Sequence, residues 1–248
     1  MFNKKTLCRM VSVGVLIGMA GFVPNTINMP IVYAENEQSS PHQIYEESRK
    51  FSSVGNYKRA IEILTEGLKK YPDSDLLYVL RSHCYSSLKE YDKAFADCDR
   101  AIEIDPYNLG YYESKASIYD DMEQYDKVVE IYTQLIEKNP YEIEYYRKRG
   151  NAYAHMQDEQ HATEDYKKYL SMWSKPDEDM IMAEEYALRG SIYKYVKDYA
   201  NAIKDFTKAI ELNQNKAMFY QLRGECYEAL GDTEKAKSDF VEAKLHGG

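Results

Sequence analysis

Few residues in this 248-residue sequence have the types and spacing that catalysis or metal binding requires. No HExxH motif is present, and the two histidines nearest each other, His155 and His161, are six residues apart across a predicted turn. The sequence contains no glycine-rich phosphate loop, no G-x-S-x-G motif and no Cys-x-x-Cys pair. Neighbouring acids such as Asp120 and Asp121 are typical of a solvated helix face. We therefore predict that the protein is not an enzyme and uses no metal or cofactor.

The charge of the chain argues against two classes of partner. The net charge is -9, and because residues 1–34 carry three basic residues and no acidic ones, the remainder carries -12. Nucleic acids and anionic lipid surfaces both attract clustered Lys and Arg side chains. An acidic body therefore predicts neither a nucleic-acid partner nor peripheral membrane binding.

The elements that must position any binding residues repeat along the chain. Moving 34 residues at a time leads from Ala60 to Ala94, Val128 and Ala162, and again from Ala202 to Ala236. Counted from the start of each unit, place 8 holds a small residue: Ser48, Ser82, Ala116, Gly150, Gly190 and Gly224. Place 11 holds an aromatic residue: Phe51, Tyr85, Tyr119, Tyr153, Tyr193 and Tyr227. Spacings of three and four residues indicate amphipathic helices that pack in pairs.

This order of small and aromatic residues, closed in the first three units by Pro72, Pro106 and Pro140, resembles the tetratricopeptide-repeat (TPR) signature. The resemblance covers residues 41–248. It implies an all-α fold, a right-handed superhelical solenoid of six helix-turn-helix units. We place the units at 41–74, 75–108, 109–142, 143–176, 183–216 and 217–248, with an insert at 177–182 and a polar linker at 35–40. The fold serves many functions, so the resemblance predicts a binding scaffold without naming its partner.

The resemblance also implies where a partner binds, because TPR proteins usually bind an extended peptide or a helix along a concave face lined by the first helices. Unit two would present an apolar patch there, comprising Leu76, Val79, Leu80 and His83. Unit three would present an acidic patch of Glu113, Asp120 and Asp121, and unit four a basic patch of Arg147, Lys148, Asn151 and His155. Unit five adds Lys194 and Tyr195. We expect a partner segment with apolar, basic and acidic character in corresponding order.

Residues 1–34 have the composition of an export signal. Three basic residues precede an apolar run at 10–23, and Val32-Tyr33-Ala34 is a suitable cleavage site. This run is shorter than the roughly 20 residues of a membrane-spanning helix. We therefore favour a cleaved signal and an exported bacterial protein, periplasmic or secreted; the alternative is an uncleaved membrane anchor with the array outside the cytoplasm. The absence of any Asn-x-Ser/Thr sequon fits a bacterial source.

The repeat is interrupted once and ends on charged residues. The spacing from Ala162 to Ala202 is 40 instead of 34, and Pro176 and Asp177 are predicted to begin a lengthened first helix of unit five. Trp173, Met180 and Met182 either pack this junction, which we favour, or form an apolar contact site for a partner. Lys50 at one end, and Lys237 and Lys244 at the other, predict polar outer faces and an array of six units.

Two further sets of residues have structural interpretations. Arg at place 7 and Asp at place 23 occur together in four units, as Arg81 with Asp97, Arg149 with Asp165, Arg189 with Asp205 and Arg223 with Asp239. We interpret them as pairs that bridge neighbouring helices, each stabilising by at most about 1 kcal/mol if exposed. Cys84, Cys98 and Cys226 are interpreted as small buried apolar residues, because an odd number at helical core positions does not indicate a disulfide framework.

The sequence therefore favours an exported scaffold that binds a protein or peptide. A self-associating structural component of the cell envelope is the alternative, and a carrier of a small molecule or glycan is a third hypothesis.

Overall fold

A computed structural model describes residues 39–173 and 181–247, which form twelve α-helices and no strands. The first helices of the units are α1 (Pro41–Ser52), α3 (Asp75–Ser87), α5 (Leu109–Asp121), α7 (Ile143–His155), α9 (Ala183–Tyr195) and α11 (Ala217–Ala229). The second helices are α2 (Tyr57–Lys70), α4 (Tyr91–Ile104), α6 (Tyr125–Lys138), α8 (Glu159–Met172), α10 (Tyr199–Leu212) and α12 (Thr233–His246). Each first helix begins at the residue where its unit is predicted to start. The predicted all-α helical-repeat fold is confirmed.

All six units turn between their helices in the same way. Place 15 has a positive φ, between 58° and 80°, at Gly55, Lys89, Glu123, Gln157, Lys197 and Gly231. The amide N–H at place 16 then donates to the carbonyl oxygen of the aromatic residue at place 11, with N···O distances of 2.8–2.9 Å in every unit. Glycine adopts this backbone conformation without steric cost. In four units a residue larger than glycine adopts this positive φ, because the packing of the two flanking helices fixes the turn.

The two helices of a unit cross at the small residue of place 8. A Cβ atom added to Gly190 would lie 3.0 Å from Cε1 of Phe206, and one added to Gly224 would lie 2.7 Å from Cε1 of Phe240. Both aromatic rings are at place 24, and Phe206 is completely buried. A side chain at Gly190 or Gly224 would therefore require the facing phenylalanine ring to move, whereas unit three accommodates Ala116 at this place. The predicted crossing point is confirmed.

The four Arg–Asp pairs join the two helices of their own units and are more buried than the sequence predicts. Each is bidentate: Arg149 Nε and Nη2 donate to Asp165 Oδ2 and Oδ1 at 2.8 Å, and the other three pairs match this within 0.1 Å. The Asp165 side chain is only 8% exposed. In three pairs the remaining Nη1 group reaches a threonine of the preceding unit, as Arg149 reaches Thr133 at 3.0 Å. These pairs therefore also connect neighbouring units.

The junction between units four and five differs from the others. Helix α9 begins at Ala183, with Met182 as its N-cap, and has 13 residues like α3, α5, α7 and α11. It is therefore not lengthened, and Pro176 and Asp177 lie outside the described residues. The preceding unit has Lys167 where the arginine-bound threonines of the other units are, and Arg189 instead lies over the Trp173 ring, 5.1 Å from its centroid. Trp173 also packs edge-on against Tyr169, with ring centroids 5.5 Å apart.

The three cysteines of the array are buried and unpaired, as predicted. Burial raises the pKa of each thiol from its ordinary value to about 11. The ends of the array carry exposed lysines at Lys237 and Lys244, but the outer side of α12 also exposes Val241 and Leu245. No helix in the described part of the chain is long and apolar enough to cross a membrane. The predicted signal at 1–34 lies outside that part.

Candidate functional site: a polar pocket between α5 and α7

The first helices expose one side to solvent, which we call the groove face. On α3, Leu76 is exposed and Val79 is half-buried, as a binding surface requires. Leu80 is only 8% exposed and belongs to the core cluster that includes Leu64 and Leu77. Leu80 is thus unavailable to a partner, because its position on α3 turns it toward the helices of unit one. The apolar patch predicted for unit two is smaller than expected.

Direct polar contacts join α3 to α5. The His83 ring nitrogen Nε2 lies 3.1 Å from Ser114 Oγ. Ser86 Oγ donates to Asp121 Oδ2 at 2.7 Å, and the Tyr111 hydroxyl donates to a carboxylate oxygen of Asp75. His83 and Asp121 therefore already have hydrogen-bond partners within the protein. These contacts connect the groove faces of units two and three.

Between α5 and α7 the groove face opens into a pocket of about 210 Å³. Ser117 and Asp120 of α5 line one wall, and the second helix α6 contributes Val128 and Tyr132. The α7 wall consists of the four residues predicted for unit four: Arg147, Lys148, Asn151 and His155. The acidic and basic patches were predicted to follow each other along the face. Instead, Asp120 of the acidic patch shares a single pocket with all four residues of the basic patch, whereas Glu113 and Asp121 do not line it.

Neighbouring aromatic side chains hold the residues of the α7 wall. The Tyr166 hydroxyl donates to Asn151 Oδ1 at 2.8 Å. The His155 ring stacks on Tyr125, with centroids 4.6 Å apart and an interplanar angle of 5°. Lys148 Nζ lies 6.0 Å from the centroid of the Tyr132 ring. The donors of this wall are therefore positioned before any partner arrives.

The charges of the pocket are only partly neutralised from within. Arg147 Nε donates to Glu144 Oε2 at 2.8 Å, so this cation already has a counter-ion, and its side chain is only 18% exposed. Within the described chain, neither Lys148 nor Asp120 has an ion-pair partner. Burial raises the pKa of Glu113, and Lys148 opposes that shift. Lys148 on the α7 wall thus shares the pocket with Asp120 and also feels the charge of Glu113 on α5.

Sequence reasoning overlooked the tyrosines of the second helices. Tyr132 and Tyr166 occupy place 24, where the other units have Leu64, Cys98, Phe206 and Phe240. Only these two place-24 residues carry a hydroxyl group, a signal that is visible in the sequence. Burial raises the pKa of Tyr132, with Glu113 and Asp120 adding to the effect, so its phenol remains a protonated donor.

The remaining predicted residues are not part of this pocket. Lys194 forms an ion pair with Glu225 of α11, and Tyr195 packs edge-on against Tyr166 with centroids 4.8 Å apart. Met182 is exposed at the start of α9, whereas the Trp173 indole N–H is buried and the ring packs within the junction. Met180 lies outside the described residues. In the described part of the chain, no three His, Cys, Asp or Glu side chains form a group that could hold a metal ion.

Comparisons with known proteins agree with this architecture. A family model described as the Psidin N-terminal TPR repeats region matches residues 44–169, just over half of the chain. Two tetratricopeptide-repeat models match residues 183–216 and 206–238. The small glutamine-rich tetratricopeptide repeat-containing protein 2 of Saccharomyces cerevisiae is 36% identical over 80 residues, which are 32% of this chain and 23% of the yeast protein. The chain spans at most 23% of the length of the curated relatives considered.

Solved structures share the fold at low sequence identity. PilF of Pseudomonas aeruginosa superposes with a TM-score of 0.64 at 14% identity, covering 84% of this chain and 92% of PilF. YrrB, described as a TPR protein with an unusual peptide-binding site, superposes with a TM-score of 0.55 at 17% identity, covering 73% of this chain and 90% of YrrB. With six copies of one helix pair and family models matching along its length, this chain belongs to the tetratricopeptide-repeat family, whose members generally serve as non-catalytic protein-interaction scaffolds.

Proposed function

We propose that this protein is an exported bacterial scaffold that binds a protein or peptide segment along its groove face and catalyses no reaction. The observation that carries the proposal is the pocket between α5 and α7, where predicted groove residues of two units converge on one opening. At about 210 Å³ the pocket is smaller than the roughly 300–1,000 Å³ typical of small-molecule sites. Its size suits the charged ends of one or two side chains of a larger partner, which favours peptide binding over a small-molecule or glycan carrier.

The likeness to YrrB supports the same proposal at the level of the fold, because that protein is described as binding peptides. Helical repeats offer a rigid surface on which a partner segment is recognised by side chains alone. No backbone strand pairing is needed.

A photo-crosslinking experiment tests the groove. A photoreactive residue replaces Ser117, which is exposed in the pocket wall, and in a control variant it replaces Lys237 on the outer side of α12. Both variants are expressed in cells of the source organism and irradiated. The groove proposal predicts a discrete crosslinked product from position 117 and none of the same mass from position 237. The same product from both positions would exclude the pocket as the binding site.

The proposal of export rests on residues 1–34, with their basic start, apolar run and Val32-Tyr33-Ala34 site. N-terminal sequencing of the protein isolated from its native envelope should give a first residue near Glu35. A chain that begins at Met1 in the membrane fraction would establish the anchored alternative.

Self-association is a second candidate because α12 carries exposed apolar side chains. Val241 is 56% and Leu245 70% exposed. Val241 is at place 25, where Thr65, Thr133 and Thr207 contact an arginine of the following unit. Sedimentation over a wide range of concentrations separates the candidates. A dimer that dissociates in the double variant Val241→Lys with Leu245→Lys would support assembly through this face, whereas a concentration-independent monomer would exclude it.

A further inference from the structure

We propose that the pocket between α5 and α7 recognises a neighbouring acid and base of the partner together, a carboxylate on the α7 wall and an ammonium or guanidinium group on the α5 wall. This inference rests on the proposed function and adds the chemical class of the segment that is bound.

The α7 wall is built to donate hydrogen bonds to an anion. Lys148 supplies an ammonium group that lacks an ion-pair partner among the described residues. Because the Tyr166 hydroxyl occupies Asn151 Oδ1 at 2.8 Å, the Asn151 amide N–H groups are the part of that side chain left to bind a ligand. The ring of His155 is held by Tyr125. Charge-assisted hydrogen bonds from such positioned donors are the strong kind.

The α5 wall is built to accept hydrogen bonds from a cation. Asp120 is exposed and has no ion-pair partner within the described chain, and Ser117 lies one helical turn before it. Asp121, the next acid along the helix, already accepts a hydrogen bond from Ser86. Asp120 is therefore the carboxylate of this wall that remains for a ligand.

A pair of opposite charges fits this pocket better than a single charge. A carboxylate alone would be attracted by Lys148 but repelled by Asp120 and by Glu113 near Lys148. A cation alone would be attracted by Asp120 but repelled by Lys148. Arg147 does not change the balance because Glu144 neutralises it. A partner can present both charges to one opening in two ways. The acid and the base can lie two residues apart on an extended segment, or four residues apart on a helix, where their Cβ atoms are about 6 Å from each other.

Two other described parts of the groove face already have their polar groups paired. Between α3 and α5 the polar groups bond to one another, and in units five and six Lys194 pairs with Glu225. In contrast to these two parts of the described groove face, the pocket holds opposite charges that form no ion pair with each other.

End-blocked tripeptides test the inference with defined probes. Glu-Ala-Lys, Glu-Ala-Glu, Lys-Ala-Lys and Gln-Ala-Gln are titrated into the folded protein, and the amide NMR signals of residues 117–120 and 148–155 are followed. We expect Glu-Ala-Lys to bind about tenfold tighter than the other three, the ratio typical of one charge-assisted contact. Equal affinities for all four, or shifts confined to other units, would overturn the proposal.

Charge exchange provides a second test. Lys148→Glu should shift the preference to Lys-Ala-Lys, and Asp120→Lys should shift it to Glu-Ala-Glu. The double exchange Asp120→Lys with Lys148→Glu should restore the preference for Glu-Ala-Lys, because the peptide can reverse its direction in the pocket. Lys237→Glu, which makes the same charge change on α12, should leave all four affinities as they are.

Thermal melts of each variant show whether it has kept its fold. Single variants that bind the four peptides in the wild-type order would contradict the pairing of Asp120 and Lys148. If the peptides fail this test but the groove still crosslinks a partner at position 117, only the inference about the acid–base pair falls and the proposed function stands.

Discussion

At the scale of single residues, Gly190 is where α9 and α10, the two helices of unit five, pack closely against each other. We predict that Gly190→Leu lowers the free energy of unfolding by about 1–3 kcal/mol, because even its Cβ would lie 3.0–3.2 Å from Phe206 and from Asp205 Cβ. Urea denaturation followed by circular dichroism measures the change. As a control, Phe206→Leu should recover part of the loss when it is combined with Gly190→Leu. An unchanged midpoint for Gly190→Leu would contradict the packing at this crossing.

The Arg149–Asp165 pair tests how much a mostly buried ion pair stabilises the array. Asp165→Ala should cost about 3–5 kcal/mol, because it leaves the Arg149 guanidinium buried without its carboxylate. Unit three supplies the control, since it has Lys115 and Ile131 at these two places. The double variant Arg149→Lys with Asp165→Ile copies it and should be more stable than Asp165→Ala. A cost below about 1 kcal/mol for the single variant would place the pair among exposed surface pairs.

The three buried thiols predict a pH dependence. Because burial raises their pKa values to about 11, the folded state holds these protons where the unfolded chain releases them. Their contribution to stability is therefore complete below the ordinary thiol pKa and is lost as the pH rises through about 11. Urea midpoints should fall over this range, and the fall should be smaller in a variant with Cys84, Cys98 and Cys226 all replaced by alanine. Equal slopes in both proteins would rule out the thiols as the cause.

At the scale of the elements, the junction between α8 and α9 lacks residues that pack the other junctions. Place 17 is Tyr57, Tyr91, Tyr125 and Tyr199 in four units but Glu159 in unit four. Place 21 is Ile61, Phe95, Val129 and Ile203 in the same four units but Thr163 in unit four. A cleft lined by both polar residues and by Tyr195 and Val196 separates the helices. This side of α8 resembles the terminal helix α12, with Thr233 and Lys237 at these places.

Thr163→Ile should therefore stabilise the array by about 0.5–1 kcal/mol, because it exchanges a hydroxyl for apolar surface that Val196 can cover. The denaturation midpoint measures this. Lys237→Ile makes a similar change at the same place of α12, where no described unit follows, and should bring no comparable gain. A loss of stability in Thr163→Ile would show that the cleft does not accept the larger side chain.

The sequence specified the elements well because each unit repeats the same local requirements. Small residues at place 8 and aromatic residues at place 11 located every helix pair, and each first helix begins where its unit was expected to start. The prediction of a lengthened first helix in unit five was wrong. Met182 is the N-cap of α9, and its backbone N–H donates a hydrogen bond to the Glu185 carboxylate, so that α9 starts at the same place as the first helices of other units. The period predicts the units but not how an insert is accommodated.

At the scale of the whole molecule, the groove face was predicted as a succession of patches, and the structure arranges the patches differently. Leu80, His83, Asp121 and Lys194 are engaged by the core or by neighbouring units, which a list of helix positions does not reveal. Side chains of the second helices complete the pocket: Tyr132 lines it and Tyr166 holds Asn151 on its wall. The pocket is therefore a property of packing across three helices, and it could not be located from α5 and α7 alone.

Charge at the molecular scale supplies the last prediction, which concerns the partner captured by crosslinking. The body of the protein is strongly acidic, so any Lys→Glu change alters its long-range attraction for a charged partner. Lys148→Glu and Lys237→Glu alter the net charge equally, one in the pocket and one on the outer side of α12. Reversing Arg147 would confuse the comparison, because it would also break the contact with Glu144 and cost stability.

We expect Lys148→Glu to raise the Kd about tenfold at low salt, because it replaces an attractive contact in the pocket with a repulsive one. Lys237→Glu should change it little. The two variants should approach each other near 1 M salt, where the Debye length falls to about 3 Å. A binding titration at several salt concentrations decides the matter. An equal loss of affinity in both variants at low salt would mean that the partner responds only to the net charge of the protein. A loss of affinity only in Lys237→Glu would place the binding site on the outer side of α12.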